Sequence, residues 1–514
     1  MSEVLHDKRR GPRSRKTDQS ATGIGVGCDA DDPACSRLLP FWMGLALHGE
    51  RPALIDATTS RIWSYRALDN DVTDGAKALG SADKQLILLC AETSASFLLV
   101  YLSALRAGHA VLLCGQGPAD AATETLVGTY APDQVLWSGA APGTWARAYA
   151  ASADVHGYRR VRRSRKSQAP LHPDMTLVMP TSGSTGGPRA VRLSARNLAV
   201  NAHQIRLDLG VDEDARVITT LPFSYIFGLS IVHSHLAAGG ALVISDQSVL
   251  RPGFWKHAHD WAATSLAGVT FTFELLRRVD VQDRAPASLR HLAHSGGRLP
   301  PVLSDWIRQD LTARFDVHLM YGMTEGAGRL CILPPRLLPT KPSSVGFPVR
   351  WGRVTVDEAG EVIFTGPNVM MGYAASRDDL ARGDDLAGTL RTGDLGRLDD
   401  DGCLHLTGRS SRFCKFFGRR FSLDDIEGRF ADLGEVAAVA DARGVLLVHG
   451  RDEDGAAIAA RAAALTLEFD LPPGALRLAL CEVLPRTTGG KIAYATLAGQ
   501  LEPEKASTRL PYSD

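Results

Sequence analysis

Nine residues stand out as able to do chemistry on a phosphate: Thr181-Ser182-Gly183-Ser184-Thr185-Gly186-Gly187-Pro188-Arg189. Glycines let backbone N–H groups come close to phosphate oxygens, and the hydroxyls add donors. Arg189 at the end supplies positive charge against a polyphosphate. An apolar run, Thr176–Met179, leads into the loop, and a helix-like stretch, Ser194–Ile205, follows it. The GxxxxGK[ST] spacing is absent, so this is not a Walker loop. A plain Ser/Gly surface turn is the competing reading. Seven Gly, Ser and Thr residues in a row ending in Pro-Arg argue against it.

Such a loop needs a rigid frame, and the chain has the length for one. Its 514 residues suggest two to four domains at about 150 residues each. Hydrophobic residues make up 45% and charged residues 22%, an ordinary globular balance. Lys+Arg and Asp+Glu are both 57, so nothing pulls toward nucleic acid or an anionic membrane. The runs Gln85–Cys90, Ala110–Leu113, Leu177–Met179 and Ala241–Ile244 read as buried strands, and Ala95–Ala107 as a helix between them. Strands alternating with helices imply a parallel α/β sheet covered on both faces. Past residue 400 shorter elements follow, including Val445–Val448 and Ala456–Leu465, enough for a small α+β domain.

Residues 1–36 are polar and aperiodic, and read as a flexible tail with a basic arm as the lesser alternative. The run Tyr158–Lys166, YRRVRRSRK, reads as a solvated connection, with a docking patch for an acidic partner as the alternative. Eight cysteines are scattered without CxxC spacing, which points to reduced thiols. No signal peptide is visible at the N-terminus, and no apolar run reaches the ~20 residues of a membrane helix. The expectation is a cytoplasmic protein with no membrane span and no nucleic-acid partner.

Several further segments, in order along the chain, resemble motifs of the acyl-adenylate-forming superfamily: acyl-CoA synthetases, adenylation domains of peptide synthetases, and luciferases. The loop at 181–189 is similar to that family's TSGTTGxPKG, with Arg189 for the usual Lys and Ala190 for the usual Gly. The resemblance implies that Thr181, Ser182, Gly183, Ser184, Thr185 and Gly186 hold ATP phosphates, with Arg189 assisting catalysis. Tyr321-Gly322-Met323-Thr324-Glu325 is similar to YGxTE. There Tyr321 is expected to stack on adenine beside Gly322 and Met323, Thr324 to contact phosphate, and Glu325 to bind Mg²⁺. Carboxylate oxygen suits a hard cation that also bridges phosphate oxygens. Ser295-Gly296-Gly297-Arg298-Leu299 resembles the Gly-rich segment along adenine and the acyl pocket. Arg391-Thr392-Gly393-Asp394-Leu395 resembles the TGD motif, whose Asp394 would accept from the ribose hydroxyls.

The segment Gly408–Lys415 resembles the junction with a mobile C-terminal domain, with Arg409 touching the nucleotide and Ser411 at the hinge. Leu484–Ile492 is similar to LPRTxxGKI and makes Lys491 the catalytic lysine of adenylation. The resemblance therefore implies a tail over 1–36, a large N-terminal domain over 37–409 with mostly parallel sheets covered by helices, and a small mobile α+β domain over 410–514. Phe223, Tyr225 and Phe227, with Ser295, would line the acyl pocket, with ordinary strand or core aromatics as the lesser alternative for that trio. No acidic residue lies between Leu221 and Gly240, so an α-ammonium would go unpaired there. An aryl or fatty acid is expected, activated by ATP and Mg²⁺ as acyl-AMP. The acceptor is coenzyme A or a separate carrier protein, since no GGxSL-type carrier site follows Lys491. A small amine, as in amide synthetases, is the alternative. A non-catalytic acyl-AMP sensor would be expected to lose Lys491 or Glu325.

Overall fold

The computed structural model describes residues 38–500 apart from 81, 116, 165–169, 182–188, 417–418, 442–443, 452, 470, 473 and 487–491. Fully apolar five-residue runs make the strands at its centre. Leu86–Cys90 and Ala110–Cys114 are buried at every position, as strands covered on both faces must be. With Met175–Thr181 and Gln134–Trp137 they form the parallel middle of an eight-stranded sheet. Antiparallel strands close it: Arg189–Ser194 and Gly372–Ala374 on one side, Tyr158–Arg163 and Tyr149–Val155 on the other.

A nine-stranded sheet has six parallel strands in the order Asp316–Tyr321, His291–His294, Ser265–Gly268, Arg216–Ile218, Ala241–Ile244 and Pro52–Asp56. The two large sheets share one core with the helices Ala95–Arg106, Ala195–Asp208 and Ile226–Ala238. Each helix starts where its sequence allows. Ser94 accepts from Phe97 N–H, and Ser194 with Asn197 makes a reciprocal capping pair. Helix Ile226–Ala238 is buried on every side, which its mostly apolar sequence permits, with Ser230, His233, Ser234 and His235 as the buried polar residues.

Two features depart from the expectations. Tyr158–Arg163 is a strand, not a solvated connection. Period-two alternation explains it: Tyr158 and Arg160 are buried while Arg159 is exposed. The Arg160 guanidinium survives inside by donating to Gln134 Oε1 at 2.7 Å and the Ala78 carbonyl at 2.8 Å. The second departure is a third sheet, wholly antiparallel, of Arg353–Val356, Glu361–Thr365, Thr389–Leu398 and Leu404–Arg409.

Beyond it lie a two-stranded ribbon, Phe413–Phe416 with Arg419–Ser422, and a three-stranded sheet of Val436–Asp441, Gly444–His449 and Leu476–Leu480. Helix Gly455–Glu468 packs there through Ile458, in a core with Ile426, Phe430 and Leu447. Among the described residues no helix is long and apolar enough to cross a membrane. The six described cysteines are free.

Candidate active site

The carboxyl ends of the parallel strands bring the candidate residues together. Strand Asp316–Tyr321 delivers Tyr321, buried, at its last position. The chain then turns tightly: a side chain at Gly322 would put its Cβ 2.0 Å from the Gly328 carbonyl oxygen. Thr324 and Glu325 follow in a single 3₁₀ turn. Tyr321 Oη donates to Asp394 Oδ2 at 2.5 Å, and Arg409 Nε donates to Asp394 Oδ1 at 2.7 Å. Both partners lie on the third sheet, whose strands pair Asp394 directly with Arg409. Thr392 Oγ1 also accepts from the Asp394 N–H at 3.1 Å.

The charges tie this group into one unit. Burial, reinforced by the Asp394 carboxylate, raises the Tyr321 hydroxyl well above its ordinary pKa, so it stays a donor. Asp394 holds Arg409 in its charged form, with Tyr321 and Glu325 adding to the effect. Glu325 Oε1 accepts from Tyr373 Oη at 2.8 Å. Burial, then the Glu325 charge, raises the Tyr373 hydroxyl. Strand Gly372–Ala374 sets Tyr373 opposite Val191, two residues from Arg189 at the exposed end of the hairpin formed by Met175–Thr181 and Arg189–Ser194. Thr181 closes that hairpin with a 3.3 Å bond to the Arg189 carbonyl. Ser182, Gly183, Ser184, Thr185 and Gly186 lie outside the described residues, as does Lys491.

The turn after strand His291–His294 meets the aromatic segment. Ser295 is buried, and Gly296 takes φ +97°, a backbone state that favours glycine. A Cβ there would come within 3.2 Å of Tyr225 Oη and 3.0 Å of Val269. A Cβ on Gly297 would crowd Thr270 Oγ1 at 2.9 Å. Arg298 turns outward to an exposed ion pair with Asp425 at 3.1 Å. Of the three aromatics only Tyr225 keeps an accessible surface. Phe223 stacks on Phe97 with centroids 5.8 Å apart, and Phe227 lies under the Arg329 guanidinium at 4.0 Å, both as core residues. Ser411 sits in the short turn Ser410–Arg412 that follows Arg409.

Tyr373 and Arg329 were not anticipated. Tyr373 reaches Glu325, 48 residues away in sequence, from a strand held in place by its pairing with Arg189–Ser194, which no local spacing signals. Arg329 is fully buried, bonds Gly328 O at 2.7 Å, and is pushed down to about 9 by burial. Among the described residues there is no cluster of three or more His, Cys, Asp or Glu that could hold a metal. A magnesium ion needs no such cage, because it is bound through one or two carboxylates together with substrate phosphates. Glu325, beside the turn and partly exposed, fits that mode.

Two helix-lined sheets with polar residues gathered at their strand ends set the frame of the protein. The model of the AMP-binding enzyme family matches residues 41–374, and the chain belongs to that family. It is 28% identical over 274 residues to the 2-succinylbenzoate–CoA ligase of Bacillus cytotoxicus, covering 50% of this chain and 55% of that one. It is 32% identical over 255 residues to that of Bacillus licheniformis, covering 46% and 50%. The chain thus spans about half the length of the curated relatives it matches. Its fold matches o-succinylbenzoate coenzyme A synthetase from Bacillus subtilis, solved with ATP and magnesium, with a TM-score of 0.72 at 21% identity over 89% of this chain and 99% of that one. A structure from a study of fatty acyl-adenylate ligases from E. coli and L. pneumophila matches with a TM-score of 0.70 at 20% identity, over 94% and 100%.

Proposed function

We propose that this protein activates a carboxylic acid with ATP, forming acyl-AMP and pyrophosphate, and then transfers the acyl group to coenzyme A. The observation that carries it is the Tyr321–Asp394–Arg409 unit beside Glu325 and the phosphate-loop hairpin, in a chain of the AMP-binding family. A carboxylate is a poor electrophile because its charge is delocalised. Making it a mixed anhydride with AMP supplies a leaving group. Two anions must meet for that, so positive charge has to be fixed around the α-phosphate. Lys491 and Arg189 are the side chains proposed for this. Magnesium, when bound through Glu325, would draw charge from the phosphate oxygens. Asp394 is proposed to accept from the ribose hydroxyls, and the Tyr321 ring to cover the adenine. The division into units at 409/410, with Ser411 as the hinge, belongs to the same proposal. It is supported by the separate core around Ile426 and Leu447.

The relatives' names favour coenzyme A over a carrier protein or an amine as acceptor, and an aryl-bearing acid over a plain fatty acid. Carboxylate-dependent exchange of labelled pyrophosphate into ATP, run across aryl, fatty and amino acids, tests the first half. Exchange with an aryl acid, followed by coenzyme A-dependent thioester formation, is expected. ATP binding without exchange for any acid would leave a nucleotide sensor instead.

A further inference from the structure

Beyond Arg409 the chain keeps a polar cluster beside the apolar core of Ile426 and Leu447. Arg412 closes the turn Ser410–Arg412, and its side chain is 12% exposed. Every nitrogen of its guanidinium is engaged. Nε donates to Asp424 Oδ1 at 2.7 Å, Nη1 to the Ala438 carbonyl at 2.8 Å, and Nη2 to Glu427 Oε1 at 2.6 Å. The guanidinium also lies 3.9 Å from the centre of the Tyr494 ring. Tyr494 Oη donates to the second Glu427 oxygen, Oε2, at 3.0 Å, and Glu427 Oε1 accepts from the Ala438 N–H at 2.7 Å. Burial, then the Glu427 charge, raises the Tyr494 hydroxyl, so it remains a donor. Four pieces of chain meet here: the turn after Arg409, helix Leu423–Gly428, strand Val436–Asp441 and helix Tyr494–Gln500.

Helix Tyr494–Gln500 needs that cluster for its orientation. Seven residues are too few to hold a helix on propensity alone. Among its described residues one apolar side chain is fully buried, Leu497, packed with Ala437, Val448 and Leu484. One apolar anchor does not fix the rotation of a helix about its contact. Tyr494, one turn earlier on the same face, supplies the second point. The chain just before it is fixed as well: Ala493 N–H donates to the Pro485 carbonyl at 2.7 Å, and Ile492 pairs with Arg486. The two ends of the segment that carries Lys491 are thus joined next to Tyr494. A buried ion cluster contributes little net stability beside apolar packing of equal volume, so what this one supplies is geometry.

We propose that Tyr494, through Arg412 and Glu427, is a positioning residue for adenylation, which sets the lysine-bearing segment against the turn that follows Arg409. The inference rests on the reading of Lys491 as the lysine of the first half-reaction. Arg412 follows Ser411 directly, so a rotation at that residue carries the cluster and the lysine segment as one body. The three side chains act through the lysine and not on the substrates.

Tyr494→Phe keeps the ring beside Arg412 and removes the bond to Glu427, whereas Tyr494→Ala removes both. Each is made in the full chain and in the full chain carrying Lys491→Ala. Pyrophosphate exchange is measured with the acid that exchanges fastest in the panel above. With Lys491 present, kcat should fall about threefold to tenfold in Tyr494→Phe and about tenfold to a hundredfold in Tyr494→Ala, with the KM for ATP within about twofold. In the Lys491→Ala chain neither change should lower the residual exchange further, because the residue it acts through is gone. Should Tyr494→Ala fail to fold, Tyr494→Phe decides the point. The proposal is overturned if both variants exchange at the parental rate, if KM alone changes, or if the losses persist in full beside Lys491→Ala, as a merely structural defect would make them. Exchange at the parental rate in Lys491→Ala itself would instead overturn the lysine assignment on which the proposal rests.

Discussion

Replacing Asp394 with asparagine keeps the shape of the side chain and removes its charge. In the protein that carboxylate is 6% exposed and takes one bond from Tyr321 Oη and one from Arg409 Nε. An amide offers one carbonyl oxygen, so one of the two donors loses its acceptor. Hydrogen bonds to a charged group contribute about 1.5–3 kcal/mol each. The Arg409 side chain is 54% exposed, so its share is screened by solvent, while the Tyr321 hydroxyl is buried and bears the larger cost. A loss of about 1–3 kcal/mol in unfolding free energy is expected, read from the midpoint of urea denaturation. If Asp394 also accepts from the ribose, a further ~1.5–3 kcal/mol is lost from nucleotide binding, about a 10- to 150-fold rise in the ATP dissociation constant. Calorimetric titration of the folded variant with ATP measures it. ATP affinity within about twofold of the parent, beside a lowered denaturation midpoint, would show that Asp394 only braces the third sheet, and the ribose assignment would fall.

Lys491→Ala should lower acid-dependent pyrophosphate exchange by about 10²–10³ while sparing ATP binding, and exchange at the parental rate would remove the lysine from the mechanism. Glu325→Gln keeps an acceptor for Tyr373 but should raise the magnesium needed for half-maximal exchange about tenfold or more; an unchanged magnesium curve rules out a metal role. Burial holds His233 and His294 down to about 3 and His235 and His318 down to about 4, so the folded chain resists their protonation while the unfolded chain accepts it. This stabilisation is complete above pH ~6.5 and is lost as pH falls toward the folded values, about 2 kcal/mol per histidine at pH 5. Denaturation midpoints that stay level from pH 7 to pH 5 would contradict it.

The large sheets were legible because their central strands are short, continuous apolar runs bounded by helices with their own capping residues. Leu86–Cys90 and Ala241–Ile244 fall within a residue of where the pattern puts them. The third sheet was not legible, because Arg353–Val356 and Thr389–Leu398 mix charged and apolar residues at surface positions, without a run to mark them. The YRRVRR segment misled for a related reason: its charge masked a period of two, and the buried Arg160 is satisfied by partners 26 and 82 residues distant. Motif order along the chain named Tyr321, Glu325, Asp394 and Arg409, and the fold brings these four into one charged neighbourhood. It could not name Tyr373, whose role depends on strand pairing alone. Nor could it foresee that Phe223 and Phe227 pack inward while Tyr225 stays accessible, since all three share one apolar segment.

The strand Leu404–Arg409 is both the edge of the third sheet and the place where Arg409 meets Asp394. It is also stitched to the neighbouring segment, with Val345 N–H bonded to Leu404 O and Leu404 N–H to Gly346 O. This sets a rule for anyone who would shorten or split the chain. A split placed before residue 404 would strip a sheet edge, free two backbone anchors and leave the Asp394 carboxylate without its guanidinium. A split placed after residue 409 leaves the sheet whole and keeps Arg409 on the same piece as Asp394.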